Sequence, residues 1–234
     1  MRVSMDFCLG GARRARGTAV VIDVFRAFST AAYAFAGGAA AIYPVDGVAA
    51  ALAMKAADPE LLLMGETQGR RPEGFDLGNS PTEIMALAAG GLSGRRIVQA
   101  TSAGTRGLVV AAAAAENVLA ASFVTAGATL RLLAARQPEI VSLVCLGAAA
   151  EERSPEDDMC GIFLKNALED YPNHFEAIAR YLRGVESAKP FFDPAADWAP
   201  ESDLELCLAF DRFGFALVAG HDTDGRLCLV AEAV

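Results

Sequence analysis

Short runs of valine, isoleucine and leucine alternate along this chain with alanine-rich stretches of helical length, and that alternation leaves few folds open. A strand followed by a helix and another strand is a βαβ unit, so the pattern predicts one α/β domain over residues 1–234 with a largely parallel sheet. Ala19 to Asp23, Ala40 to Val45, Leu61 to Gly65, Arg96 to Ala100, Val118 to Ser122 and Ile140 to Leu146 read as strands. Phe28 to Ala36, Val48 to Ala57, Pro81 to Ala89, Thr105 to Ala115, Thr125 to Arg136 and Pro155 to Leu168 read as helices. Gly37-Gly38 ends the first of these, and Pro81 opens the third, where a missing N–H is harmless. Further on, Ser202 to Phe210 reads as a helix. Phe215 to Ala219 and Leu227 to Ala231 flank His221-Asp222-Thr223-Asp224-Gly225, the spacing of a hairpin added to the sheet edge. The stretch Phe191 to Asp203, rich in Pro and Asp and carrying Trp198, lacks the Gly/Ser run of a linker and reads as an ordered excursion.

Composition narrows the function. Hydrophobic residues make up 53% of the 234, enough for a sizeable core without staples. A net charge of −9 disfavours a nucleic-acid surface, which needs a basic face. Cys8, Cys145, Cys160, Cys207 and Cys228 are odd in number, widely spaced and mostly inside apolar runs, which reads as reduced thiols in a cytoplasmic protein. With no CxxC pair and only His174 and His221 as imidazoles, a zinc centre is not expected. Asp6 interrupts what would be the apolar part of a signal peptide. Ala27 to Val45 is free of charge and long enough to span a bilayer, but its alanines, Gly37-Gly38 and Pro44 predict a buried helix followed by a buried strand instead.

Ligands of open α/β sheets bind beyond the carboxyl ends of the strands, so the residues delivered there carry the information. The first strand ends at Asp23 in VVIDVFRAFST, with Arg26 just beyond and Ser29-Thr30 at the expected helix start. An unpaired Asp23 would be costly to bury, so a metal, Arg26 or helix N–H groups must stabilise it. Capping its helix is the plainer role, but Ser29 is the better placed residue for that. The third strand delivers Glu66 and a long loop, GETQGRRPEGFDLGNSPTEI, holding Arg70, Arg71, Asp76, Asn79 and Ser80. For Asn79 and Ser80 a plain N-cap competes evenly with a binding role. The next strand passes into Thr101, Ser102, Ala103, Gly104 and Thr105, small residues whose N–H groups and hydroxyls suit phosphate oxygens at a helix start, without the Gly-Lys-Ser/Thr ending of a nucleotide loop. A later strand leads to Glu156, Asp157 and Asp158 in a first helical turn, where acids often answer the dipole alone. Together with Asp23, Glu66 and Asp76 they form an oxygen-rich set of the kind Mg²⁺ prefers.

These segments resemble the 2-phosphosulfolactate phosphatase family, the magnesium-dependent phosphatases associated with coenzyme M synthesis in methanogens. The resemblance rests on VVIDVFRA, GETQGRRPEGFDLGNSP, TSAGTRGL, SPEDDMCG and DLELCLAFD, with GFDLGNSP the most specific. It implies a three-layer α/β/α fold and hydrolysis of 2-phospho-3-sulfolactate to sulfolactate and phosphate. Carried onto this chain, the matching polar positions are Asp23, Arg26, Glu66, Asp76, Asn79, Ser80, Thr101, Gly104, Thr105, Glu156 and Asp157. Ala103, where the family often has asparagine, and Cys160-Gly161, which the family often separates by an alanine, depart from the pattern without removing an expected metal ligand. Residues 169–203 resemble the family least and are expected to shape the pocket entrance or a subunit contact.

Phosphate monoester hydrolysis needs charge neutralisation, an aligned nucleophile and a stabilised leaving group. The resulting assignment gives Mg²⁺ to Asp23, Glu66 and Asp157, and phosphate oxygens to Arg26 and the Thr101 to Thr105 turn with Ser102. Proton handling falls to Asp76 or Glu156, and the substrate's acid groups or loop fixation to Asn79 and Ser80. Asp23 as a nucleophile and direct attack by water both stay open. So do a phosphatase of another phosphorylated 2-hydroxy acid and a non-catalytic anion-binding protein on the same fold, though simple anion binding would favour cations over so many carboxylates. A small anionic ester is the expected partner, and the apolar composition leaves room for a homodimer face.

Overall fold

The computed structural model describes residues 1–87 and 91–234. In chain order the elements are β1 (Arg2–Phe7), α1 (Cys8–Arg14), β2 (Thr18–Ile22), α2 (Ala27–Ala36), β3 (Ala41–Val45), α3 (Val48–Ala57), β4 (Leu62–Gly65), α4 (Pro81–Ala86), β5 (Arg96–Ala100) and α5 (Gly104–Ala112). They continue with β6 (Asn117–Ala121), α6 (Ala126–Arg136), β7 (Ile140–Cys145), α7 (Pro155–Leu168), α8 (Phe175–Leu182), α9 (Glu201–Cys207), β8 (Phe215–His221) and β9 (Leu227–Ala233). Every expected strand and helix is present within a few residues of its predicted bounds. The third expected helix ends at Ala86, and the last two of its predicted positions lie outside the described residues. Three elements had no counterpart in the sequence pattern: β1, α1 and α8.

Among the described residues nine strands form one mixed sheet in the order β1-β7-β2-β6-β8-β9-β3-β5-β4. β1, β7, β2 and β6 are mutually parallel, as are β3, β5 and β4. The hairpin β8–β9 is therefore not at the sheet edge as expected; it lies in the interior and joins the two parallel blocks through antiparallel ladders to β6 and β3. Its composition explains the position. FALVA and LCLVA are apolar at successive positions rather than at alternate ones, the signature of a strand covered on both faces. Leu217 and Leu229 bury on one side of the sheet, and Ala216 and Cys228 on the other.

Layers form because neighbouring side chains of a strand face opposite ways. In β2, Ala19 and Val21 pack in one cluster with Phe28 and Ala31 of α2 and Leu108 of α5. Val20 and Ile22 pack in another with Leu132 and Leu133 of α6, Leu164 of α7 and Leu182 of α8. On β3, β4 and β5 the corresponding layer is made by Tyr43, Leu63 and Val98 with Ala51 of α3. The arrangement is a three-layer α/β/α sandwich.

Hairpin insertion makes the two blocks run in opposite senses along the ladder, yet the loops leaving β2, β4, β5 and β7 meet. The residues that follow these strands line one cavity. The site lies where they converge.

Candidate active site

Asp23 follows β2 directly, Glu66 follows β4, Thr101 follows β5 and Gly147 stands just past β7, so each apolar strand ends on the residue that leaves the core. These ends surround a cavity of about 310 Å³ lined by Asp23, Arg26, Glu66, Asn79, Ser102, Glu156 and Asp157, together with Gly147 and Ala148. The volume suits a small molecule.

The loops are stitched by the carboxylates themselves. Asp157 does not cap its own helix α7. Its Oδ1 accepts the Val24 N–H (2.8 Å) and its Oδ2 the Gly147 N–H (2.8 Å), tying the β2 and β7 loops together. Glu66 accepts N–H bonds from Ser102 and from Gly69 (2.7 Å each) and a bond from the Ser102 hydroxyl (3.2 Å). Asp23 Oδ1 accepts the Ala27 N–H at the start of α2 (3.0 Å), so it caps the helix and faces the cavity at once. Ser29, which looked the better cap, sits inside α2 and donates to the Val24 carbonyl. Glu156 Oε2 accepts the Ser187 hydroxyl (2.6 Å).

Crowding of these acids shows in their protonation. Burial pushes Asp23 up to about 7, with the charges of Glu66 and Glu156 adding to the rise and the Ala27 N–H opposing it. Burial likewise raises Asp157 well above the usual carboxylate range, reinforced by Asp23 and Glu156, and raises Glu156. Gly104 is required by this closeness: a Cβ there would stand 2.8 Å from Asp23 Oδ2 and 2.5 Å from the Ala27 Cβ.

Arg26 is buried and held between aromatic rings, its guanidinium 5.6 Å from the Trp198 ring centre and 5.8 Å from that of Phe191. Its Nη1 donates to Asp203 Oδ2 (2.5 Å) and the Trp198 carbonyl (2.8 Å), and its Nη2 to the Gly69 carbonyl (3.3 Å).

Several expected site residues are placed elsewhere. Asp76 does not line the cavity; its Oδ2 accepts from Lys55 Nζ (2.6 Å) and from the Leu63 N–H (2.7 Å), which together outweigh partial burial and hold it below the usual range. Thr101 and Thr105 cap each other: Thr105 Oγ1 accepts the Thr101 N–H (2.8 Å) and Thr101 Oγ1 the Thr105 N–H (3.1 Å). Their hydroxyls shape the turn and do not face the cavity. Ser102 does. Ser80 caps α4 through the Glu83 N–H (3.2 Å) and donates to Asp203 Oδ1 (2.8 Å), while its neighbour Asn79 lines the cavity.

Asp203, Trp198, Phe191 and Ser187 complete the surroundings without having been singled out in the sequence. The Pro, Asp and Trp content of the excursion was the available signal. What it did not reveal was that this segment folds back over Arg26.

Whether the cavity suits Mg²⁺ is a question of donor chemistry. Among the described residues no three His, Cys, Asp or Glu side chains form a ready-made ligating cluster. The donors present are nevertheless hard oxygens, and Asn79 Oδ1 is buried with no hydrogen-bond partner. Mg²⁺ commonly takes one or two carboxylates and completes its shell with water and substrate oxygens, so an incomplete cup of this kind fits it.

Fold and cavity together define a class: an α/β protein that receives a small ligand beyond the carboxyl ends of its strands, among acids rather than on a glycine-lysine loop. The chain belongs to the 2-phosphosulpholactate phosphatase family, whose model matches residues 10–189. A protein of Thermotoga petrophila named "Probable 2-phosphosulfolactate phosphatase" is 33% identical over 204 residues, covering 84% of this chain and 86% of that one. One of the same name from Bacillus subtilis is 34% identical over 192 residues, covering 80% of each. Another, from Thermus thermophilus, is 40% identical over 159 residues, covering 68% of this chain and 64% of the relative. No helix among the described residues is long and apolar enough to cross a membrane; Ala27 to Val45 forms α2 and β3, as expected.

Proposed function

We propose that this protein is a Mg²⁺-dependent phosphatase that hydrolyses 2-phospho-3-sulfolactate to 3-sulfolactate and phosphate. The observation that carries the reading is the convergence of Asp23, Glu66, Glu156 and Asp157 with Arg26 around one small cavity. The names of the family and of its relatives point to the substrate.

One or two of Asp23, Glu66 and Asp157 would hold the cation, which when bound supplies positive charge to the phosphoryl oxygens and to the leaving oxygen. Arg26 keeps its Nε–H and one Nη2–H for phosphate oxygens, while the Ser102 hydroxyl is donated to Glu66. Glu156 is oriented by Ser187 through Oε2, which leaves Oε1 to take a proton from the attacking water. Water is preferred to Asp23 as the nucleophile because Asp23 already accepts the Ala27 N–H and lies beside the Gly104 N–H, both of which draw on its electron pairs. Asn79 would meet an acid group of the substrate through its amide N–H or the cation through Oδ1.

Phosphate release from a panel of phosphorylated 2-hydroxy acids, with and without divalent ions, tests this. Turnover of 2-phospho-3-sulfolactate should vanish on chelation and fall by at least about a hundredfold in Asp23→Ala. Preference for another ester would reassign the substrate. Absence of turnover with every ion and every ester, or an undiminished Asp23→Ala enzyme, would overturn the reaction itself.

A further inference from the structure

We propose that Asp203 is a positioning residue that aims Arg26 at the bound anion, an assignment that rests on reading the acid-lined cavity as a phosphate site. Asp203 is fully buried and does not line the cavity, so it can act on a ligand only through another side chain. Both of its oxygens are engaged. Oδ2 accepts from Arg26 Nη1 (2.5 Å), while Oδ1 accepts the Ser80 hydroxyl (2.8 Å) and the Thr82 N–H (2.8 Å). It thereby fixes the loop after β2 to the Asn79-Ser80 turn, and each of those segments gives a residue, Arg26 and Asn79, to the cavity wall.

The geometry of Arg26 shows what is being fixed. An arginine side chain has many rotamers, and its usefulness to an oxyanion depends on presenting a planar fork in one orientation. Asp203 and the Trp198 carbonyl take both hydrogens of Nη1, and the Gly69 carbonyl takes one of Nη2. Trp198 and Phe191 confine the guanidinium plane. Among the described residues this leaves the Nε–H and one Nη2–H without a protein acceptor, on a residue that lines the cavity. A purely structural ion pair would have no need to leave an edge of the fork free there. Trp198 lies past residue 189, where the match to the family model ends, and Asp203 opens the DLELCLAFD segment beyond it.

Binding of inorganic phosphate in the presence of Mg²⁺, measured by calorimetry on the full chain, judges the assignment without relying on turnover. Asp203→Asn keeps the shape and removes the charge; it should raise the Kd by about tenfold, Arg26→Ala by at least as much, and the double variant no further than Arg26→Ala alone. Additive losses, or unchanged or tighter binding in folded Asp203→Asn, would show that Asp203 does not act through Arg26. Should circular dichroism show Asp203→Asn unfolded, Asp203→Glu takes its place: weakening only when Arg26 is present supports the assignment, and equal weakening in the Arg26→Ala background overturns it. Wild-type protein that binds no phosphate overturns both this assignment and the proposed function. Phosphate binding without turnover of any ester overturns only the latter.

Discussion

Asp23 is placed to cap a helix and, in the same orientation, to share a small volume with Glu66, Glu156 and Asp157. Its folded pKa of about 7 lies above the ordinary 3.8, so the folded protein keeps a proton that the unfolded chain has lost. The stability contributed by that proton is complete below the ordinary value and is lost as the pH rises through about 7. Glu156 and Asp157, also raised, act in the same direction. Replacing Asp23 by Asn should therefore stabilise the metal-free protein over wild type more at pH 8 than at pH 5. From roughly 2 kcal/mol of relieved burial cost and repulsion, the gap in Tm should widen by about 4–8 °C. Thermal melts in chelator across that range check it, and a gap that does not change with pH would show that Asp23 ionises normally.

The long loop between β4 and α4 shows how one element divides its acids between two tasks. Glu66, at its start, faces the cavity, whereas Asp76 pins the loop to Leu63 and Lys55. Asp76→Ala should accordingly lower stability by about 1–2 kcal/mol and leave kcat within about twofold of wild type. Denaturant melts beside the phosphatase assay test this, and a loss of kcat like that of Asp23→Ala would return Asp76 to the chemistry. The contrast also marks what was legible in the sequence. Strand ends could be read because an apolar run stops abruptly at Asp23, Glu66 and Thr101, and the parallel blocks could be read from their alternation with helices. Which acid of a loop faces inward could not, because Asp76 and Glu66 are both carboxylates in polar surroundings and only the fold decides their partners. β1 escaped notice because Arg2, Ser4 and Asp6 alternate with its apolar residues on a sheet edge. α8 was hidden behind the break at Pro172, although Phe175, Ile178, Ala179 and Leu182 lie on one helical face. Asp203 could have been taken for another solvated acid until its partner Arg26, far away in sequence, was placed against it.

At the scale of the molecule, the β8–β9 hairpin decides whether there is one sheet or two. Leu217 and Leu229 are fully buried within it, and within the sheet the two parallel blocks are joined through its ladders, while α2 and α5 pack across both. A chain ending at Gly214 should therefore lose its cooperative thermal transition and expose apolar surface to a dye such as ANS; a truncated protein that still melts in one sharp step would show the blocks to be self-sufficient. The same strand order bears on how the chain is made. β8 and β9 follow every other strand, so β6 and β3 emerge during synthesis with open ladder edges. Roughly a hundred residues separate β6 from β8, and at about 5–20 residues per second the β6 edge waits several seconds for its neighbour. Unpaired apolar edges recruit strands from other chains. Crowded or slow translation should then divert this protein into aggregates, and the yield of folded enzyme should depend on chaperones that cover the two edges until the hairpin arrives.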